Sequence, residues 1–232
     1  MTGKDRFRSG IPHWVHKSVA RLDRLLDPYF VRSYSQEGED LLLRRVLNGQ
    51  TTGFYVDIGA HHPMRFSNTY HFYMLGWRGI NVDAMPGSME LFRKVRPRDI
   101  NIEAAISETE QVLEYYMMDD PALNGFVSEV NLEIYMKSGR KLLETRPIRT
   151  QTMRTLLESH LQGVQEIDFL SVDVEGLDLQ VLRSNDWKRF RPRFILTEAF
   201  PPSAAEALRQ FLGEQGYRCI ANTVSTLLFS ST

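Results

Sequence analysis

Four acidic residues each close an apolar run: Asp57 after Phe54-Tyr55-Val56, Asp83 after Ile80-Asn81-Val82, Asp173 after Leu170-Ser171-Val172, and Glu198 after Ile195-Leu196-Thr197. A carboxylate is costly to bury without a partner, so an acid at the end of a buried strand is expected to face a ligand rather than the core. Glu175 lies two residues beyond Asp173, and His61 and His62 follow Gly59 closely. Two chemistries follow from these residue types. A positioned imidazole or carboxylate removes a proton from a weakly acidic hydroxyl, with His61, His62 and Glu175 as candidates. Alternatively, Asp173 and Glu198, with Glu175 nearby, supply the hard oxygen ligands that Mg²⁺ prefers, and the metal lowers the hydroxyl pKa.

Residues of this kind need a sheet to hold them. Apolar runs of strand length at 54–58, 79–83, 100–106, 167–173 and 194–198 alternate with helical patterns at 68–75, 88–95, 154–160, 177–184 and 204–215. This alternation predicts an α/β fold with a mainly parallel sheet covered on both faces. The runs at 217–221 and 223–229 predict a closing antiparallel hairpin. Ser35–Leu47 reads as a helix capped by Ser35, with Glu37, Glu39 and Asp40 in its first turn. Between the regular units, 112–117 reads as an extra strand, 119–125 as a turn-rich loop and 127–137 as a helix, a long excursion of the kind that shapes a substrate mouth.

In such a sheet the ligand crevice lies beyond the carboxyl ends of the strands, where strand order reverses. Asp83 closes the second strand, where an acid can hold both ribose hydroxyls. The turn after the first strand contains one glycine, Gly59, where a pyrophosphate normally requires a glycine-rich turn. A nucleoside cofactor without a pyrophosphate, S-adenosylmethionine, is therefore favoured over NAD.

Composition narrows the field further. The chain has 232 residues, 28 Lys plus Arg against 29 Asp plus Glu, and a formal charge of -1, which gives no electrostatic reason to expect nucleic acid as a partner. The single cysteine, Cys219, excludes an internal disulfide framework. No apolar run reaches the roughly eighteen residues of a membrane span, and Met1–Gly10 is charged and has no apolar core, so a cytoplasmic protein is expected. Residues 1–33 read as an appendage containing a basic amphipathic helix over 11–30, for which packing on its own domain or on a sister subunit in a homodimer is favoured over lying on a membrane surface. Residues 34–232 read as one domain.

Ser33-Tyr34-Ser35-Gln36-Glu37-Gly38-Glu39-Asp40, Val56-Asp57-Ile58-Gly59-Ala60-His61, Ser67-Asn68-Thr69, Gly76-Trp77-Arg78-Gly79 and Ser171-Val172-Asp173-Val174-Glu175-Gly176 together resemble the FkbM family of S-adenosylmethionine-dependent O-methyltransferases. The resemblance runs from about residue 34 to the end. It implies the class I methyltransferase sheet, Rossmann-like with a terminal antiparallel hairpin, and an acceptor that is a hydroxyl of a sugar, oligosaccharide or polysaccharide precursor. By the same resemblance Asp57, Gly59, Ala60 and His61 line the methionine part of the cofactor and Asp83 holds the ribose. Ala105 and Ile106 flank the adenine, Gln36, Ser67 and Asn68 make polar contacts, and Asn124 faces the acceptor. Two features depart from the family pattern: Asp83 replaces the more usual Glu, and His62-Pro63 stands where many relatives have a small or acidic residue followed by Gly. The rival readings are a nicotinamide-dependent oxidoreductase and a noncatalytic scaffold of the same fold.

Overall fold

The structure is a computed structural model and describes residues 27, 29–120, 123–126, 129–161, 166–199 and 202–232. Residues 11–26 of the expected N-terminal helix, with His13 and His16, lie outside the described residues. Tyr34–Thr232 groups as one unit.

In chain order the elements are α1 (Glu39–Val46), β1 (Phe54–Ile58), α2 (Tyr70–Leu75), β2 (Arg78–Asp83), α3 (Met89–Val95), β3 (Ile100–Glu103), β4 (Ala105–Ile106), β5 (Val112–Met118), α4 (Glu129–Lys137), β6 (Leu142–Gln151), α5 (Met153–His160), β7 (Phe169–Val172), α6 (Asp178–Arg183), β8 (Phe194–Glu198), α7 (Pro202–Glu214), β9 (Tyr217–Asn222) and β10 (Thr226–Ser231). Seven strands form the main sheet in the order β3-β2-β1-β7-β8-β10-β9. The first five pair in parallel, and β10 runs antiparallel to both β8 and β9. This is the expected class I methyltransferase arrangement. Strand order reverses between β1 and β7, so the crevice opens at the carboxyl ends of these two strands.

Alternation along β1 divides the core between the two faces of the sheet. Val56 and Ile58 join Val82, Leu170 and Val172 in one apolar cluster with residues of α5, α6 and α7. Tyr55 joins Phe72, Trp77 and Phe169 in an aromatic cluster with α1 and α2 on the other face. A buried polar network lies beneath that second cluster. Arg96, fully buried, donates to Asp99 Oδ2 (2.8 Å), the Tyr55 hydroxyl (2.8 Å) and Thr69 Oγ1 (3.0 Å). These bonds satisfy a cation that would otherwise be prohibitively costly to bury.

Two sequence expectations are corrected. The run 100–106 is two strands: β3 pairs with β2 in the main sheet, whereas β4 leaves it to pair with β6 in a second sheet of order β4-β6-β5. The break comes at Ala104, whose N–H is taken by the Asp83 carbonyl (3.0 Å) at the end of β2. The first helix starts at Glu39, with left-handed Gly38 (φ 91°) at its N-cap. Ser35 Oγ instead donates to Asp40 Oδ1 (2.9 Å) and accepts from the Asp40 N–H (3.3 Å).

Candidate active site

Glu37 and Glu39 fix the segment before α1 against the β9–β10 turn. Glu37 Oε2 accepts from the N–H groups of Val224 (2.9 Å) and Ser225 (3.0 Å), and Glu39 Oε1 accepts from Thr226 Oγ1 (3.1 Å). These bonds hold the chain so that Gln36 reaches a cleft above β1 and β7. The cleft holds about 850 Å³ of empty space when its open mouth is included.

Gly59 makes the junction of β1 and β7 possible. Its φ is +84°, and a Cβ there would stand 1.7 Å from the Asp173 carbonyl oxygen. The close approach that requires glycine is thus between two strand ends, not between backbone and ligand. Asp83 is held by backbone: its Oδ2 accepts from the His61 N–H and its Oδ1 from the Met85 N–H, both at 2.8 Å. Each carboxylate oxygen keeps a further lone pair for a ligand hydroxyl.

Of the residues expected from sequence, Gln36, Gly59, His61, Asp83, Ile106, Asn124, Asp173 and Glu175 line the cleft. Asp57, Ala60, His62, Ser67, Asn68, Ala105 and Glu198 do not, and the structure gives most of them other partners. Asp57 sits on the aromatic face of the sheet and accepts from Thr69 Oγ1 (2.7 Å). Ser67 Oγ accepts from the N–H of Tyr70, the first residue of α2 (3.0 Å), and Asn68 donates to Ser171 Oγ (3.1 Å). Ala60 packs with Met89 and Phe92, and Ala105 lines an adjoining groove with Glu103 and Arg149. Asn124 spends its carbonyl on the Met118 N–H (2.7 Å) while its amide reaches Met85 Sδ (3.2 Å).

His62 is unsuited to the role of base. Its Nδ1 accepts from the N–H groups of Met64 (3.1 Å) and Arg65 (2.9 Å), which leaves the neutral ring's proton on Nε2. Burial, then His61 and Arg65, push its pKa down to about 4, so the ring stays neutral with no free lone pair. Of the expected metal pair only one member faces the cleft. Asp173 lines the cleft but Glu198, one strand further from the switch point, does not. Among the described residues no group of three or more His, Cys, Asp or Glu is arranged to hold a metal ion.

Burial, then the Asp173 carboxylate, push Glu175 up to about 7, and its carboxylate has no hydrogen-bond partner among the described residues. Asp173 shows open surface to the cleft, yet protein crowds its carboxylate, so desolvation and then Asp57 and Glu39 raise its pKa. Glu198 is pushed up by burial and then by Asp173 and Glu175. Phe66, Tyr115 and Phe126, which sequence reasoning missed, complete the wall. They come from three separate loops and strands, and none belongs to a recognisable motif. Burial, then Asp83 and Glu175, raise the Tyr115 phenol, in keeping with its place between those two acids.

A family model described as the methyltransferase FkbM domain matches residues 57–219. The chain belongs to the FkbM methyltransferase family. The FkbM methyltransferase from Methylobacillus flagellatus KT has a similar fold, with a TM-score of 0.52 and 11% identity over 85% of this chain. The match spans 48% of that protein's length, so this chain corresponds to about half of it. Precorrin-6y C5,15-methyltransferase from Geobacter metallireducens GS-15 gives a TM-score of 0.45 at 12% identity, covering 89% of this chain and 96% of that one. A human methyltransferase 10 domain containing protein gives 0.43 at 12% identity, covering 93% and 96%. No curated protein matches the sequence.

S-Adenosylmethionine is the cofactor expected for this family and fold, and the residues fit it. Asp83 presents oriented lone pairs suited to a ribose diol, while Ile58, Ala104 and Ile106 give the same cleft an apolar side. Asp173 and Glu175 add two carboxylates to the lining of the same cleft.

Proposed function

We propose that this methyltransferase uses S-adenosylmethionine to methylate a hydroxyl of a sugar, oligosaccharide or polysaccharide precursor, with Glu175 as the general base. The observation that carries the reading is the Glu175 carboxylate: it lines the cleft, has no hydrogen-bond partner among the described residues, and is raised to about 7. A base with that value is about half ionised at neutral pH and basic enough to accept a proton in the transition state.

Asp83 is the ribose ligand, Ile106 and Ala104 the adenine wall, and Gln36 and the turn at Gly59 the contacts to the amino-acid end. When bound, the cofactor supplies an electrophilic methyl group. Glu175 would take the hydroxyl proton as the acceptor oxygen forms its new bond to the methyl carbon and the carbon–sulfur bond breaks, leaving S-adenosylhomocysteine. Tyr115 and Phe126 exclude water from that side of the cleft, which strengthens the electrostatic contacts within it. Their rings also offer apolar faces on which the C–H face of a sugar can rest.

Calorimetric titration with S-adenosylmethionine and S-adenosylhomocysteine tests the cofactor assignment. Replacing Asp83 by Ala removes two charge-assisted acceptors and should weaken binding by at least about tenfold. Unchanged affinity in that variant would remove Asp83 from the site. Acceptor class is tested by incubating the wild type and cofactor with a panel of neutral, amino and acidic sugars and locating new O-methyl groups by mass spectrometry. Methylation confined to nitrogen or carbon would overturn the hydroxyl reading.

A further inference from the structure

The charge and backbone of the cleft restrict which sugars it can take. Asp83, Asp173 and Glu175 line it, and among the described residues no Lys or Arg does. Arg65 lies over the ring of the lining residue Phe66, 4.4 Å from its centroid, without lining the cleft itself. His61 is held neutral by burial.

A second, independent feature singles out the same wall. Among the described residues four that are not glycine adopt positive φ, and three of these, His61 (49°), Phe66 (57°) and Glu175 (55°), line the cleft. Left-handed backbone costs a residue with a Cβ about 1–2 kcal/mol and tends to concentrate where a site needs a side chain aimed. Phe66 is also 41% exposed despite its size. Left-handed backbone thus presents an aromatic ring and an unpartnered carboxylate to one cavity, and that combination recognises a cation.

Resting on the methyltransferase reading above, we propose that the acceptor carries a positive charge close to the methylated hydroxyl, as in an amino sugar, with Glu175 and the face of Phe66 opposite Arg65 forming the subsite that selects it. The cofactor's ammonium is balanced by its own carboxylate, so its sulfonium offsets at most one of the three acidic side chains. The ribose hydroxyls are neutral and leave Asp83 charged. Glu175 is then left to pair with the acceptor, and an anionic sugar meets uncompensated carboxylate.

The test uses the full chain saturated with S-adenosylhomocysteine at pH 8. It is titrated calorimetrically with glucosamine, kanamycin A and chitosan oligosaccharides, and in parallel with glucose and oligogalacturonate. The amino sugars should bind, glucose should bind at least about tenfold more weakly, and oligogalacturonate should give no heat. Glu175→Gln should remove most of the preference for amine over glucose, and Phe66→Ala should weaken amine binding while leaving S-adenosylhomocysteine affinity within about twofold. The proposal is overturned if the whole amino-sugar panel fails to bind, if glucose or oligogalacturonate binds as well, or if Glu175→Gln keeps the preference. Failure to bind S-adenosylhomocysteine in the first step would instead remove the methyltransferase reading.

Discussion

Replacing Gly59 by Ala tests the junction on which the whole site depends. At φ +84° an alanine pays about 1–2 kcal/mol for left-handed backbone. Its Cβ would stand 1.7 Å from the Asp173 carbonyl oxygen and 2.7 Å from the carbonyl carbon. Both neighbours are backbone, so no side chain can rotate away, and the ends of β1 and β7 must separate by roughly 1 Å or more to restore ordinary contact. That separation breaks the bond from the Asp173 N–H to the Ile58 carbonyl (2.9 Å), worth about 1 kcal/mol, and loosens the apolar packing below it. The total is about 3–4 kcal/mol, which for a domain of this size corresponds to a fall in Tm of about 6–16 °C. Urea denaturation and calorimetry should find this loss together with loss of S-adenosylhomocysteine binding, because Asp173 moves out of place. Gly76→Ala is the control: its φ is +106°, but a Cβ there meets nothing within 4 Å, so only the backbone cost of about 1–2 kcal/mol should appear. Equal losses in the two variants would show that the contact with Asp173 contributes nothing, and the account of Gly59 would fail.

With Glu175 as base, kcat should rise with pH through about 7, and Glu175→Gln should lower the plateau by about 10²–10⁴ and abolish that limb. Because folding raises the Glu175 pKa, the native state holds the proton more tightly and this group opposes folding as pH rises from its ordinary value through about 7; Glu175→Gln should therefore stabilise the protein by on the order of 1 kcal/mol near pH 8 and not near pH 4 in urea melts. Arg96→Met should cost about 3–5 kcal/mol by leaving Asp99 buried beside the Tyr55 hydroxyl without its cation; a melting temperature equal to wild type would contradict the network. His62→Ala should lose about 1 kcal/mol of stability with the two N–H bonds it accepts yet keep kcat within a few-fold, and a collapse of kcat in a folded variant would restore His62 to the mechanism.

Much of this was already legible along the chain. Apolar runs of strand length separated by helical patterns set the α/β class, and the paired runs near the end set the antiparallel hairpin, because period and turn chemistry are local properties. The glycine after β1 and the acid closing β2 pointed to the cleft that both line. Which of the four strand-end acids meet in the cleft was not local. Asp57 occupies the same kind of position as Asp83, but alternation turns it toward Thr69, and Glu198 lies one strand beyond Asp173 from the switch point. His62 resembled a base until the fold directed two backbone N–H groups at its Nδ1. Phe66, Tyr115 and Phe126 have no sequence signal, since only the long-range packing of β5 and its loops brings them to one wall. Sequence thus determined the elements and the order in which they are threaded. Tertiary structure decided which side chains share a cavity, because the direction of a side chain at the end of a strand depends on the face it occupies and on what crosses above it.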